Sequence, residues 1–308
     1  MQAQPINFQA PSEEAASILL PVTSTLFADR AARFASLAEG SSLGDWLAFL
    51  GQLSRAQQNA LPLASTVVLP TPEQLALARE HAMPPLDPGI RPAEWRAVLR
   101  QLVGELATIT PLPPSNVAQA LAALQATDDE RLEALAEQLL SGEPSVADAA
   151  QLPFVAAALQ VVYTRLASLL DTASVQKLDY HNVCPCCGSP AVASVVRLGS
   201  AINNLRYLHC SLCNSEWNVP RAVCTSCDSD KEVALQELGG SNDPKVQAVR
   251  GETCDSCKSY LKIVYQEKDP LVDPVADDLA TLALDVLLDE AGYQRAGPNL
   301  LLIGAHQG

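Results

Sequence analysis

The chain has 308 residues, 48% of them hydrophobic and 18% charged, with a formal net charge of −15. That length and apolar share allow one large core or two to three smaller units, and speak against wholesale disorder. The acidic balance argues against nucleic acid as a partner, because polyanion binding relies on Lys and Arg to neutralise phosphates.

The charge is unevenly placed: residues 1–180 carry −9, residues 181–265 are neutral and residues 266–308 carry −6. Apolar runs such as Phe154 to Val162 stop well short of the roughly 18 residues a membrane helix needs, so no membrane partner is expected. Met1 to Ala10 has no basic residue ahead of an apolar run and does not read as a secretory or twin-arginine signal. A cytoplasmic location is therefore expected. Thiols are kept reduced there, so nine cysteines argue for metal binding in place of a disulfide framework.

Helical periodicity dominates the first 178 residues. Thr25 to Gly40 places Leu26, Phe27, Phe34 and Leu37 at helical spacing and ends on a glycine. Leu43 to Ala60 repeats Leu43, Trp46, Leu47, Leu50 and Leu53. Thr71-Pro72-Glu73-Gln74 is an N-cap with proline at the first helical position. Pro92 opens a helix whose Trp95, Val98, Leu99, Leu102 and Leu106 share a side. Ser115 caps a helix to Gln125, Thr127 to Glu130 forms a capping box, and that helix stops before Gly142. Ser145 to about Leu170 reads as one long, mostly apolar helix through the centre of the domain. Proline-rich corners connect these elements.

The texture changes near Leu178. Short strand-like stretches follow at Ala191 to Leu198, Leu205 to His209, Glu232 to Leu238, Val246 to Val249 and Tyr260 to Tyr265, with a turn at Gly239 to Pro244. Asp273-Pro274 then starts a helix with Val275, Leu279, Leu282, Val286 and Leu287 on one face. A short apolar tail, Asn299 to Ile303, packs back with it.

Within the strand-rich part stand four Cys-x-x-Cys knuckles: Cys184 and Cys187, Cys210 and Cys213, Cys224 and Cys227, Cys254 and Cys257. Two intervening residues let both sulfurs of a tight turn reach one ion, so each knuckle supplies half a tetrahedron. Sequential pairing gives a first site of Cys184, Cys187, Cys210 and Cys213 and a second of Cys224, Cys227, Cys254 and Cys257. The gaps within the sites are 22 and 26 residues and the gap between them is ten, which suits two consecutive zinc-ribbon or rubredoxin-like units. Spacing alone leaves open a pairing of the first knuckle with the third.

A closed four-thiolate site has no open coordination position, so it reads as structural or electron-transferring, and hydrolysis at the metal is not expected. Zinc and iron both suit tetrahedral sulfur. The plainest role is to fold units too small to hold themselves together, to which an ion can contribute on the order of 10 kcal/mol. Cys186 is a ninth, spare thiol and reads as a bystander. His209 reads as a non-ligand, Trp217 as a cover over the first metal core, and Asp277 with Asp278 as acids suited to a helix N-terminus. No phosphate loop, nucleophile elbow or Ser/His/Asp set is present, so no catalytic residue or organic cofactor site is assigned and the chain is not expected to be an enzyme.

The stretch Arg206-Tyr207-Leu208-His209-Cys210-Ser211-Leu212-Cys213-Asn214-Ser215-Glu216-Trp217 resembles the signature of the FdhE family of formate dehydrogenase accessory proteins. The order of the other knuckles, the tail from Asp273 to Asp285 and, more faintly, Leu47-Ala48-Phe49-Leu50 and Gln57 carry the same likeness. Cys186 departs from it but leaves the outer ligands intact. The resemblance implies a multidomain α+β chain: a helical all-α domain over residues 1–178, two rubredoxin-like four-cysteine units over 179–222 and 223–268, and a C-terminal helix and tail over 269–308. It implies two iron ions per chain, with zinc as the alternative. It also implies a cytoplasmic maturation factor that binds the catalytic (alpha) subunit of a respiratory formate dehydrogenase before export. A redox role during that maturation is the second expectation and a zinc-ribbon nucleic-acid module the third. Weak homo-oligomerisation stays open.

Overall fold

The computed structural model describes residues 16–198, 204–239 and 244–302. The signal reading of Met1 to Ala10, most of the Gly239 to Pro244 turn and Ile303 of the apolar tail lie outside them.

Among the described residues seven α-helices form the N-terminal part: α1 (Leu26–Ala38), α2 (Gly44–Ala60), α3 (Pro72–Glu80), α4 (Glu94–Leu106), α5 (Ser115–Ala126), α6 (Asp129–Ser141) and α7 (Leu152–Ser168). Fourteen of the 17 residues of α7 are buried, all round its circumference, and it packs against α2, α4 and α6. A helix apolar on every side belongs at the centre of a domain, as expected from its sequence. Thr71 caps α3 with the full capping box, Gln74 N–H to Thr71 Oγ1 at 3.3 Å and Thr71 N–H to Gln74 Oε1 at 2.8 Å.

Three helix boundaries differ from the expectation. Residues 146–151 are turns, and α7 begins only at Leu152. Pro153 is the reason: its ring and missing N–H suit a first turn and forbid a helix continuing upstream through it. The N-cap of α6 is Asp128, which accepts from Arg131 N–H at 2.8 Å, whereas the Thr127 hydroxyl turns back to donate to the Ala123 carbonyl at 2.7 Å and closes α5. Ser115 is the first residue of α5, and Pro114 occupies its cap.

The remaining strands join into one sheet. β1 (Ile18–Leu19), β2 (Ala191–Arg197), β3 (Leu205–Cys210), β4 (Glu216–Asn218), β5 (Val233–Gln236), β6 (Val249–Cys254) and β7 (Ser259–Tyr265) run in the order β1-β4-β3-β2-β7-β6-β5, and β8 (Gln294–Arg295) pairs with β7. Each cysteine unit contributes an antiparallel set. The two sets are sutured by a parallel pairing of β2 with β7, Ser194 opposite Ile263 through Val196 opposite Tyr265. The strand expected at Val246 to Val249 is displaced: Pro244–Gln247 forms a single helical turn, α8, and the strand runs on from Val249 into the knuckle at Cys254. Arg250-Gly251-Glu252-Thr253 has little strand character of its own; β5 and β7 hold it by pairing on both sides.

The C-terminal helix is broken in two. α9 (Pro274–Ala280) ends and α10 (Leu282–Glu290) begins at Thr281, whose φ of −115° is not helical. The break re-aims the second half, so Leu284 and Leu288 are buried while Val286 and Leu287 face outward, against the single apolar face expected. The carbonyls freed at the break accept from the buried Lys262 ammonium, Asp278 O at 2.7 Å and Thr281 O at 3.1 Å. α9 packs on α1 and β2, which brings the C-terminal segment back onto the N-terminal helices. Among the described residues no helix is long and apolar enough to cross a membrane.

Candidate metal centres

All nine cysteines lie among the described residues and none is bridged. The sulfurs of Cys184, Cys187, Cys210 and Cys213 lie within 4.8 Å of one another, as do those of Cys224, Cys227, Cys254 and Cys257. First pairs with second and third with fourth, which decides the pairing that spacing left open. In the first cluster Cys184 to Cys213 and Cys187 to Cys210 are 3.5 Å apart; in the second Cys224 to Cys257 and Cys227 to Cys254 are 3.7 Å apart. An ion held by four sulfurs at about 2.3 Å in a tetrahedron needs sulfur–sulfur separations of roughly 3.8 Å. Both clusters therefore fit a tetrahedral thiophilic cation, and the donor set fits zinc or iron equally.

One local geometry builds all four knuckles. The residue after each second cysteine has a left-handed backbone: Gly188 at φ 75°, Asn214 and Asp228 at 57°, Lys258 at 55°. Gly, Asn and Asp adopt this conformation most readily, so the sequence Cys-x-x-Cys-Gly/Asn/Asp encodes the turn. Lys258 is the exception, and its ammonium is fixed 2.5 Å from Asp255. The turn points backbone N–H groups at sulfur. Cys186 N–H donates to Cys184 at 3.4 Å, Leu212 and Cys213 N–H to Cys210 at 3.4 and 3.3 Å, and Ser226 N–H to Cys224 at 3.4 Å. Such donors stabilise thiolates and tune the ion they hold.

The two clusters differ in their surroundings. The four first-cluster cysteines are fully buried and belong to the same hydrophobic core as the helices. Polar groups of α7 reach down to the second knuckle: Gln160 Nε2 donates to Ser211 O at 2.8 Å, and Asn214 Nδ2 donates to Thr164 Oγ1 at 2.8 Å. The loop before α4 covers the first knuckle, with Leu86 N–H on the Cys186 carbonyl at 2.9 Å. In the second cluster Cys224 and Cys254 are buried, but Cys227 and Cys257 are exposed. The cavity beside Cys224 and Cys254 is about 10 Å³, no larger than a single water requires. Burial pushes the Cys184 and Cys210 thiols well above their usual range. At the exposed Cys257 the slight desolvation also raises the thiol, but hydrogen bonds from the Ser259 side chain and backbone outweigh it and bring that thiol to about 7.

The other residues singled out by sequence take structural places. Both ring nitrogens of the buried His209 are taken, Nδ1 by Glu216 Oε1 at 2.9 Å and Nε2 by Asn214 Oδ1 at 3.1 Å. Trp217 is buried, and its Nε1–H donates to the His181 carbonyl at 2.9 Å. Asp277 and Asp278 are 0% exposed. Beyond any helix-dipole benefit they are ion-paired, Asp277 with Arg33 and Asp278 with Arg295 and Lys262. Ser259, 3.0 Å from Cys257 Sγ, and Ser215, 3.3 Å from Cys213 Sγ, were not foreseen. Each stands two residues past the last cysteine of its knuckle, a shared offset that was available as a signal.

Three profiles of one family tile this architecture: FdhE N-terminal over residues 15–179, FdhE central over 183–221 and FdhE C-terminal over 222–302. The chain belongs to the FdhE family. A "Protein FdhE homolog" from Pseudomonas aeruginosa is 41% identical over 282 residues, 90% of each chain. Another from Serratia proteamaculans is 37% identical over 281 residues, 90% of this chain and 88% of that one. The crystal structure of the FdhE protein from Pseudomonas aeruginosa superposes with a TM-score of 0.82 at 38% identity, covering 95% of this chain and all of that one. The family's helical part followed by a cysteine-rich sheet is thus the architecture built here, and the resemblance read from Arg206 to Trp217 was correct.

Proposed function

We propose that this chain is a non-catalytic accessory factor in the cytoplasm that binds the catalytic subunit of a respiratory formate dehydrogenase before its export. Its eight paired cysteines hold two ions, iron by preference. The observation that carries the metal reading is the pair of four-sulfur clusters with tetrahedral spacing, each closed by four protein ligands. Closed coordination leaves no position for a substrate, which favours a binding factor over a metallohydrolase. Membership of the FdhE family supports the formate dehydrogenase partner. The domain division that goes with this reading is a helical body over residues 1–178, cysteine units over 179–222 and 223–268, and a returning C-terminal segment over 269–308.

Capture from anaerobic extract tests the partner: the immobilised chain is expected to enrich the formate dehydrogenase catalytic subunit over an unrelated bait, and equal recovery on both would reject it. Metal analysis with a visible spectrum tests the ion: two irons and a thiolate charge-transfer band are expected, and two zincs without colour would remove iron. A second reading, electron transfer during maturation, is favoured by the exposure of Cys227 and Cys257, since an ion near the surface is accessible to a redox partner. It requires a reversible one-electron change at the metal.

A further inference from the structure

We propose that the two cysteine sites divide their labour: the second exchanges its metal and sulfur contacts with external thiolates or chelators, whereas the first is locked into the fold. This rests on the reading of both clusters as metal sites. The observations concern what must move to free a sulfur. Every first-site cysteine is fully buried inside the main hydrophobic core. Reaching one means parting α7 from Ser211 and Asn214, or lifting the Leu86 loop from Cys186. Gly188 is pressed to within 3.5 Å of Pro84 at the place a Cβ would occupy, so that loop sits directly on the knuckle.

Among the described residues the second site carries no such cover. Its cysteines belong to neither hydrophobic cluster, and Cys227 and Cys257 are open to solvent. Its two knuckles are tied to each other by exposed contacts, Ser229 to Ser256 at 3.2 Å and Ser256 to Glu232 at 3.0 Å. Their link to the rest of the chain outside their own strands includes the exposed pair of His181 with Asp228 at 2.7 Å. A thiolate arriving from solvent therefore displaces the Cys257 or Cys227 sulfur without any core residue moving. The displaced sulfur takes up a proton from solvent, the incoming sulfur fills its place, and no electron is transferred. Local opening free energies range from near zero at exposed loops to the full folding free energy in a core, so the two sites sit at opposite ends of that range.

The full chain, loaded with zinc and shown to hold two ions, is mixed with excess pyridylazoresorcinol dye and followed by absorbance. One equivalent is expected in a fast phase, and the other about tenfold slower or more. Maleimide added after the fast phase is expected to mark Cys224, Cys227, Cys254 and Cys257 while leaving the first-site cysteines unmarked and the far-ultraviolet circular dichroism unchanged. In Cys257→Ser the fast equivalent speeds up or disappears and the slow phase keeps its rate. Release of both ions in one phase, or maleimide marking of Cys184, Cys187, Cys210 or Cys213 first, overturns the division. A chain that takes up fewer than two ions fails at the loading step and rejects the metal-site reading, before the dye is added.

Discussion

Arg33 on α1 and Asp277 on α9, 244 residues apart, form a two-bond ion pair inside the protein, with Nε to Oδ2 at 2.9 Å and Nη2 to Oδ1 at 2.5 Å. Their side chains are 3% and 0% exposed. The pair clasps the returning C-terminal segment to the first helix, and Arg30 repeats it one turn earlier on Asp273 at 3.0 Å. Removing one member of a buried pair leaves an uncompensated charge and typically costs about 3–5 kcal/mol. Burial pushes the Asp277 carboxyl up to about 6 even against the pull of Arg33. A carboxyl whose folded pKa is raised contributes stability that is full below its unfolded value near 3.8 and is lost as pH rises through 6. Arg33→Met is therefore expected to lose on the order of 3 kcal/mol at pH 8 and less at pH 5, where Asp277 sheds its charge. Urea unfolding at the two pH values measures it, and an equal deficit at both would contradict the account.

A chain of buried amides joins the helices to the second cysteine knuckle, the one from Cys210 to Cys213. Gln57 Nε2 on α2 donates to Gln160 Oε1 on α7 at 3.0 Å, and Gln160 Nε2 donates in turn to Ser211 O at 2.8 Å. Gln160→Leu is nearly isosteric but leaves the Ser211 carbonyl and the Gln57 amide without that partner. Leaving a buried polar group unsatisfied costs about 1–3 kcal/mol, so the variant is expected to unfold at correspondingly lower urea with the same slope. Zinc release from the first site should also quicken, because the knuckle has lost its anchor on α7. An unchanged denaturation midpoint would mean that the amide chain contributes nothing.

The knuckles and α7 were legible in the sequence for different reasons. The knuckles depend on residues within five positions of one another, and the left-handed turns at Gly188, Asn214 and Asp228 are written in the residue types themselves. α7 is apolar on every side, a pattern only a central position explains. What was not legible depends on distant partners. Arg250-Gly251-Glu252-Thr253 became a strand because β5 and β7 flank it. The helix break at Thr281 is stabilised by Lys262, which comes from another element altogether. The burial of Asp277 and Asp278 required knowing that Arg33 and Arg295 would meet them. Gln57, noticed only as part of a family likeness, proves to be one end of the amide chain.

Cys186 tests the assignment of ligands within the first knuckle. It is fully buried beside Cys187, yet the four-sulfur set with tetrahedral spacing is made by Cys184, Cys187, Cys210 and Cys213. Cys186→Ala removes one buried sulfur and keeps the backbone bond to Leu86, at an expected cost of about 1 kcal/mol from the small cavity. Metal content should stay at two ions per chain. Cys184→Ser, by contrast, is expected to lose the first ion and, with it, much of the folding free energy that ion contributes. Metal analysis and thermal unfolding of the two variants side by side measure both effects. Loss of an ion in Cys186→Ala would place its sulfur among the ligands.

Glu216 behaves oppositely to Asp277 on acidification. It is buried on β4 between Arg197, 3.0 Å from its Nε, and His209 Nδ1 at 2.9 Å. Burial alone would raise its pKa, but the hydrogen bond from His209 and the charge of Arg197 outweigh burial and hold the carboxyl down at about 2, against a usual 4.5. A depressed folded pKa contributes stability that is fully present above 4.5 and is lost as pH falls toward 2. The displacement corresponds to on the order of 3 kcal/mol at neutral pH. Glu216→Gln keeps the shape and removes the charge, so it should be less stable than the parent by about that amount at pH 7. The gap is expected to narrow as pH drops below 4.5, because the carboxyl of the unfolded parent then takes up a proton that the folded one, held at about 2, does not. Urea midpoints of parent and variant between pH 7 and pH 3 give the comparison. A gap that stays constant across this range would show that Glu216 acts through packing, with no contribution from its charge.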